Sequence, residues 1–79
     1  MVKPGLPYLD IIRDAREIAP DHPLAVYQVS GEYAMTYHAV RNNVFELKPA
    51  LMEQMGAFSR AGANIVITYW ASELLEWLD

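Results

Sequence analysis

The chain contains no cysteine and only two histidines among its 79 residues. Without cysteine, neither a disulfide framework nor a thiolate metal site can form. His22 and His38 stand apart, and neither has metal-ligand residue types spaced around it. We therefore expect no cofactor site within this segment. The cysteine count by itself leaves the cellular compartment open.

Basic residues and long apolar runs are also scarce. Six lysines and arginines stand against ten aspartates and glutamates, which gives a net charge of −4. Such a chain is a poor partner for nucleic acid or an anionic membrane. No apolar run reaches the roughly 18 residues of a membrane span. The start is not expected to be a signal peptide, because no long apolar region follows Lys3. A cytoplasmic location is the expectation, with a plastid as the open alternative, because the natural start is expected upstream of Met1.

Apolar residues, in contrast, are abundant. They make up 53% of the chain, above the roughly 45–50% that is ordinary for a soluble domain. A chain of 79 residues forms one domain at most and buries a modest fraction of its surface. We therefore interpret residues 1–79 as a single partial domain, which is either a piece of a larger fold or a subunit that needs partner surface.

The apolar pattern alternates between strand and helix. Residues 7–19 carry a stripe with spacings of three and four, typical of a helix, whereas 24–29 and 65–69 are short apolar runs typical of buried parallel strands. In chain order the prediction is strand 1–3, helix 7–19, strand 24–29, helix 32–42, helix 47–61, strand 65–69 and a short helix, capped by Ser72, to Leu78. Such alternation indicates an α/β fold with parallel strands. Three βα units fit a small open sheet or a slice of a (β/α)₈ barrel of about 250 residues.

Several segments carry a family resemblance. They are Met-Val-Lys-Pro-Gly at 1–5, Pro-Tyr-Leu-Asp at 7–10, Tyr-Gln-Val-Ser-Gly-Glu-Tyr-Ala-Met at 27–35, Arg-Ala-Gly-Ala at 60–63 and Ile-Val-Ile-Thr-Tyr-Trp at 65–70. In this order and at these spacings they resemble the C-terminal part of the 5-aminolevulinate dehydratases, also called porphobilinogen synthases. The resemblance covers essentially the whole chain and only the last part of the family's chain. It implies the barrel slice, namely the last three βα units of a TIM barrel.

Lys3 lies at the end of the first predicted strand, before a Pro-Gly turn. A Schiff base requires a neutral amine, and desolvation or a nearby cation lowers the pKa of a lysine from about 10.4. Most lysines at strand ends are simply solvated surface charges. The resemblance implies instead that Lys3 is catalytic and forms the Schiff base with the first-bound 5-aminolevulinate.

Ser30 and Tyr69 each follow an apolar run, at the same end as Lys3. In a (β/α)₈ barrel that end is the catalytic face. Two hydroxyl groups can bind a carboxylate without adding charge. From the residues alone, Ser30 fits a turn or a helix cap, and Tyr69 fits a strand aromatic with a solvated tip. The resemblance implies that both are substrate-binding and hold the carboxylate of the lysine-bound substrate.

The remaining polar and aromatic residues are expected to have structural roles. Glu32 is interpreted as a first-turn acid that suits the helix dipole, not as a catalytic group. Lys48 is expected to be a solvated charge. Packing roles are assigned to Tyr27, Gln28, Tyr33 and Trp70, and to a stripe of Leu74, Leu75, Trp77 and Leu78 on the last helix.

The resemblance implies a lyase that condenses two 5-aminolevulinate molecules to porphobilinogen in tetrapyrrole and heme biosynthesis. The family's second lysine, its arginines for the second substrate, its lid and its metal-binding cysteines lie upstream of the matched part. Zinc or magnesium, and assembly into a homo-oligomer, are therefore expectations for a full-length protein. Two interpretations stay open for this chain. It is either a synthase segment that is inactive without the upstream barrel, or a non-catalytic relic or packing module of a larger assembly.

Overall fold

The computed structural model describes residues 1–78 as alternating helices and strands. A 3-10 turn at Leu6–Tyr8 leads into the first helix. The helices are α1 (Leu9–Ile18), α2 (Ser30–Arg41), α3 (Leu47–Ala61) and α4 (Ala71–Trp77), and the strands are β1 (Ala25–Tyr27) and β2 (Ile65–Ile67). In the described part of the chain no helix is both long and apolar enough to cross a membrane.

The strands are parallel, as the alternating pattern predicts. β1 and β2 pair in register, with Ala25 opposite Ile65 and Tyr27 opposite Ile67. Val2 forms a further parallel bridge to Val26, held by 2.9 Å hydrogen bonds from the Val2 amide to the Ala25 carbonyl and from the Tyr27 amide to the Val2 carbonyl. The predicted first strand is therefore present as a single bridged residue on the free edge of β1.

The core lies between one face of this sheet and the helices. Ile12 of α1, Val26 of β1 and Phe58 of α3 are fully buried and form its centre. A second cluster joins Leu51 of α3 to Trp70 and Leu74. Burying these large side chains supplies the main stabilising free energy, at about 1.5–3 kcal/mol for each fully buried apolar side chain.

The opposite face of the sheet carries no comparable cover within residues 1–78. Side chains alternate along a strand, so Ile65 and Ile67 point away from the core that holds their neighbour Val66. They are 48% and 47% exposed. We call this surface, formed by residues 25, 27, 65 and 67, the open face.

Gly5 explains how the Pro4-Gly5 turn packs against the core. Gly5 is buried, and a Cβ atom built on it would lie 2.7 Å from two ring atoms of Phe58 and 3.1 Å from a Val26 methyl. Only a residue without a side chain allows the backbone to approach the ring this closely. The turn after Lys3 is therefore seated directly on the centre of the core.

Arg16 stabilises the amino end of the strands, which is the end far from Lys3. Its guanidinium donates hydrogen bonds to the carbonyls of Gly62 at 2.9 Å and His22 at 2.8 Å, and to the Asn64 side chain. Asn64 in turn accepts from the Leu24 amide at 3.1 Å. One side chain thus ties α1 to the residues that enter both strands.

Three sequence predictions about α2 and α4 were wrong. α2 begins at Ser30 rather than at residue 32, so Ser30 opens a helix instead of ending a strand. Ser72 is not a cap, because α4 starts at Ala71 after an N-cap residue, Trp70, that makes no side-chain cap bond. The packing stripe of α4 is shorter than predicted, since Leu75 and Leu78 are 68% and 66% exposed.

Candidate functional site

Lys3, Ser30 and Tyr69 follow the carboxyl ends of three parallel segments. Lys3 comes directly after the bridged residue Val2, Ser30 follows β1, and Tyr69 follows β2. Parallel strands place equivalent ends at the same edge of a sheet, which is the catalytic edge in (β/α)₈ barrels. All three residues are exposed. The structure therefore gathers the three predicted positions at one edge, and their chemical roles stay predictions.

The pairing also assigns Lys3 to a face of the sheet. Val2 bridges Val26 and packs on the central core cluster. Because successive positions of a strand alternate between faces, the position after Val2 corresponds to Tyr27 and Ile67, which lie on the open face. The open face lies opposite the helices, on the side that a closed barrel would turn toward its interior.

Tyr69 meets Tyr27 at this edge. Their hydroxyl oxygens lie 3.1 Å apart, within hydrogen-bond distance, and their ring centroids are 6.4 Å apart. The hydrogen bond to Tyr69, followed by partial burial and the Coulombic effect of the same neighbour, raises the pKa of Tyr27 above its ordinary value. Both tyrosines line a shallow pocket together with Ile67 and Thr68.

Tyr33 of α2 supports the Tyr69 ring from the helix side. The two ring centroids are 5.6 Å apart in an edge-to-face arrangement, and the Tyr33 ring lies 4.4 Å from that of Trp70. Tilted and edge-to-face contacts at these distances are favourable for aromatic pairs. Tyr33 and Trp70 thus pack as the sequence predicts, whereas Tyr27 also contributes a polar contact that the packing assignment missed.

A buried polar network lies beneath the pocket. Gln28 is fully buried, and its side chain donates to Gln54 Oε1 at 2.6 Å and accepts from the Thr68 hydroxyl at 2.7 Å. Gln54 in turn donates to the Thr36 hydroxyl at 3.0 Å. The network joins both strand ends to α2 and α3, so it fixes the backbone immediately before Tyr69. Sequence reasoning treated Gln28 as packing, because its partners are distant in the chain.

The structural role of Glu32 was underestimated from the sequence more than that of any other residue. Glu32 lies in the first turn of α2, as predicted, but only 2% of its surface is exposed. Its carboxylate accepts hydrogen bonds from the amides of Gly5 at 2.9 Å, Leu6 at 2.7 Å and Val29 at 2.8 Å. Only the Val29 contact follows a local capping pattern that a sequence can indicate.

Metal-binding residue types do not gather at this edge. Within residues 1–78, no group of three or more histidine, cysteine, aspartate or glutamate side chains is placed to hold a metal ion. The groups that the edge does offer are an amine, several hydroxyls and the first amides of α2. Together they suit covalent capture of a carbonyl compound and hydrogen bonding to an anionic group.

Comparisons with known proteins all identify the same protein family. A family model described as Delta-aminolevulinic acid dehydratase matches residues 1–77. The chain is 58% identical over 78 residues to the Delta-aminolevulinic acid dehydratase of Macaca fascicularis, covering 99% of this chain and 24% of that protein. It is 60% identical over 79 residues to the Schizosaccharomyces pombe protein of the same name, covering 100% and 24%. A chloroplastic relative from Chlamydomonas reinhardtii is 49% identical over 78 residues, covering 99% and 20%.

A solved structure extends the likeness to the fold. It is the crystal structure of the Toxoplasma gondii delta-aminolevulinic acid dehydratase (porphobilinogen synthase) in complex with the reaction product porphobilinogen. The chain matches it with a TM-score of 0.93 and 45% identity, over 98% of this chain and 22% of that one. The predicted fold class, three βα units of a (β/α)₈ TIM barrel with parallel strands, is confirmed. The chain spans about a quarter of the length of the curated relatives it matches.

Proposed function

Because the chain belongs to the delta-aminolevulinic acid dehydratase family, we propose that it carries the Schiff-base half of a porphobilinogen synthase active site. The reaction joins two 5-aminolevulinate molecules, with loss of two waters, in tetrapyrrole biosynthesis. In this proposal Lys3 is the covalent nucleophile, and Ser30 and Tyr69 bind the carboxylate of the first substrate. The observation that carries the proposal is the common edge at which three parallel segments present these residues.

Lys3 acts through its side-chain nitrogen. The neutral amine attacks the ketone carbon of 5-aminolevulinate and forms a carbon–nitrogen bond. The carbonyl oxygen takes up two protons and leaves as water, so that a carbon–nitrogen double bond links the substrate to the chain. The location of Lys3 on the open face supports this role, because a closed barrel would surround the amine and reduce its exposure to water.

Ser30 and Tyr69 bind the substrate's carboxylate in this proposal. Ser30 is the first residue of α2, so its hydroxyl stands beside unpaired amides and the positive end of a twelve-residue helix. Tyr69 has Tyr27 as a hydrogen-bond partner. If Tyr27 donates to the Tyr69 oxygen, the Tyr69 proton is free to bind the carboxylate.

The complete reaction requires more than this chain. The residues that the family resemblance implies for the second substrate are not in it, and the chain spans 24% of the Macaca fascicularis relative. We therefore propose that residues 1–79 make porphobilinogen only together with a segment that supplies the other barrel strands. Zinc or magnesium and a homo-oligomeric state belong to that completed barrel. The cytoplasm stays the proposed location, with the plastid open, since one relative is chloroplastic.

The alternative, a non-catalytic packing module, has one observation in its favour. On the open face Ile65 and Ile67 are about half exposed. This surface can pack against another protein segment with or without a catalytic function. The two functions differ in what happens to Lys3. A packing module needs no reactive amine, whereas the synthase proposal requires that 5-aminolevulinate becomes attached to it.

A graft distinguishes the two functions. The matched segment of the Schizosaccharomyces pombe enzyme, 60% identical over 79 residues, is replaced by this chain. Borohydride reduction in the presence of 5-aminolevulinate then traps any Schiff base, and peptide mass mapping locates it. We expect the adduct on Lys3, and its loss in Lys3→Ala. Lys48 is the other lysine of the chain, and Lys48→Ala is the matched control. An adduct that persists in Lys3→Ala, or none in the unsubstituted graft, contradicts the proposal.

A further inference from the structure

One buried carboxylate, that of Glu32, contacts both the segment that follows Lys3 and the segment that precedes Ser30. Gly5 lies two positions after Lys3, and Val29 lies one position before Ser30. The same oxygen, Oε2 of Glu32, accepts a hydrogen bond from each of their amides. We propose that Glu32 is a positioning residue that fixes the spacing between Lys3 and Ser30. This inference rests on the proposed function, because the spacing matters only if both residues hold one substrate.

The contacts of Glu32 are strong ones. A carboxylate that accepts from amides forms charge-assisted hydrogen bonds, which are about twice as strong as neutral ones. Neither of the two ion pairs in the described part of the chain includes Glu32. Its charge is instead balanced by three amides, one at the N-cap of α2 and two at the start of the turn that precedes α1. Such bonds persist because breaking one leaves a buried charge partly unpaired.

The Lys3 segment is held from two sides. On one side, Gly5 is packed against Phe58 and Val26. On the other, its amide and that of Leu6 are bound to Glu32. The backbone directly after Lys3 therefore cannot move away from the first turn of α2 without losing these hydrogen bonds. The lysine side chain itself stays free, because Lys3 is exposed.

The benefit of such a tether is catalytic positioning. Lys3 must reach the ketone while Ser30 holds the carboxylate of the same molecule, so the distance between their backbones has to match the length of the substrate. A misplacement of about 1 Å can reduce a rate by about a hundredfold. α2 and the turn before α1 are separated by more than 20 residues in the chain. Without a direct link, only the packing of the core would determine the distance between them. Glu32 links them directly.

A double-mutant cycle in the grafted enzyme tests the proposal. Glu32→Gln, Ser30→Ala and the double variant are compared by the 5-aminolevulinate concentration that gives half-maximal borohydride trapping on Lys3. Glutamine has one acceptor oxygen, so the amides now lose at least one partner. We expect each single change to raise this concentration about tenfold or more. We expect the double variant to resemble Ser30→Ala alone, because without the Ser30 hydroxyl the spacing no longer matters.

Two controls separate positioning from stability. Glu46→Gln makes the same chemical change at an exposed residue and should leave trapping unchanged. Arg16→Ala lowers stability at the opposite end of the strands and should also leave the half-maximal concentration unchanged. Amide hydrogen exchange gives an independent measure, since Gly5 and Leu6 should exchange faster in Glu32→Gln while the Val2-bonded amide of Tyr27 stays protected. Glu32→Asp, which keeps the charge on a shorter side chain, is measured in parallel.

Each outcome has a defined meaning. Unchanged trapping in Glu32→Gln, effects of Glu32 and Ser30 that simply multiply, or an equal effect of Arg16→Ala would overturn the inference. So would failure of both Glu32 variants to fold, because the carboxylate would then serve folding and not spacing. Absence of trapping in the unsubstituted graft is a different result. It counts against the proposed function, whereas normal trapping in Glu32→Gln counts against Glu32 alone.

Discussion

The hydroxyl oxygens of Tyr27 and Tyr69 lie 3.1 Å apart at the ends of two adjacent parallel strands. The contact couples two residues that are 42 positions apart in the chain, and it raises the pKa of Tyr27. It gives Tyr69 a partner that can orient its hydroxyl. The Tyr27 ring also helps to line the pocket at this edge.

The Tyr27–Tyr69 contact predicts a pH dependence of stability. The pKa of Tyr27 is raised in the folded state, so between the unfolded value, about 10, and the folded value the folded protein binds more protons. Stability from this contact is therefore complete below about pH 10 and is lost as the pH rises through the folded pKa. The test compares the urea midpoints of the unsubstituted graft and its Tyr27→Phe variant. The difference between them should shrink from pH 9 to pH 11.

Tyr8→Phe is the control for this series, because Tyr8 is 44% exposed and its hydroxyl forms no hydrogen bond within residues 1–78. Its urea midpoint should stay at a constant offset from wild type over the same pH range. A difference for Tyr27→Phe that grows with pH would show that the sign of the effect is wrong.

Gly5→Ala should destabilise the fold. The new methyl would lie 2.7 Å from the Phe58 ring, and overpacking of this kind costs about 1–3 kcal/mol. Gly31→Ala is the matched substitution, since a Cβ atom there meets nothing within 4 Å. Because Gly31 lies in α2, Gly31→Ala should leave the free energy of unfolding unchanged or raise it by up to about 1 kcal/mol. Urea unfolding of the two grafted variants measures the contrast, and equal free energies of unfolding would contradict the packing of Gly5.

Arg16→Ala should cost stability without changing substrate capture. The substitution removes charge-assisted hydrogen bonds to the carbonyls of Gly62 and His22, and bonds to charged groups contribute about 1.5–3 kcal/mol each in favourable cases. Arg13→Ala is the comparison, because Arg13 forms only an exposed ion pair with Glu17, of a kind that contributes about 0–1 kcal/mol. Thermal unfolding should show a clearly lower melting temperature for Arg16→Ala than for Arg13→Ala. A larger loss of stability in Arg13→Ala would refute the structural role given to Arg16.

The isolated chain should associate rather than stay monomeric. Within residues 1–78, β2 pairs only with β1, so its other edge is unpaired. Such edges template association, and the adjoining open face exposes Ile65 and Ile67. Sedimentation should show oligomers that grow with concentration, and the chain alone should form no porphobilinogen. Adding the barrel segment of a relative should suppress association. A compact monomer with a concentration-independent unfolding transition would contradict the expectation.

Apolar periodicity and motif spacing were enough to determine the α/β class, the parallel strands and the family. These features depend on neighbouring residues, and a stripe or a short β-branched run already indicates how a segment will be buried. The edge positions of Lys3, Ser30 and Tyr69 follow in turn, because parallel strands align their ends. The same reasoning failed at element ends such as Ser72, where capping depends on side-chain geometry.

Only the tertiary structure decided which residues support the site. Glu32 looked like a local first-turn acid, yet it binds amides 26 and 27 residues away. Gln28 reaches Gln54 and Thr68 in the same long-range manner. Such partners have no local sequence pattern, since a hydrogen bond between distant segments depends on how the helices and strands pack. The sequence by itself determined the chain's fold and family, whereas packing determined that a buried carboxylate joins the segments of Lys3 and Ser30.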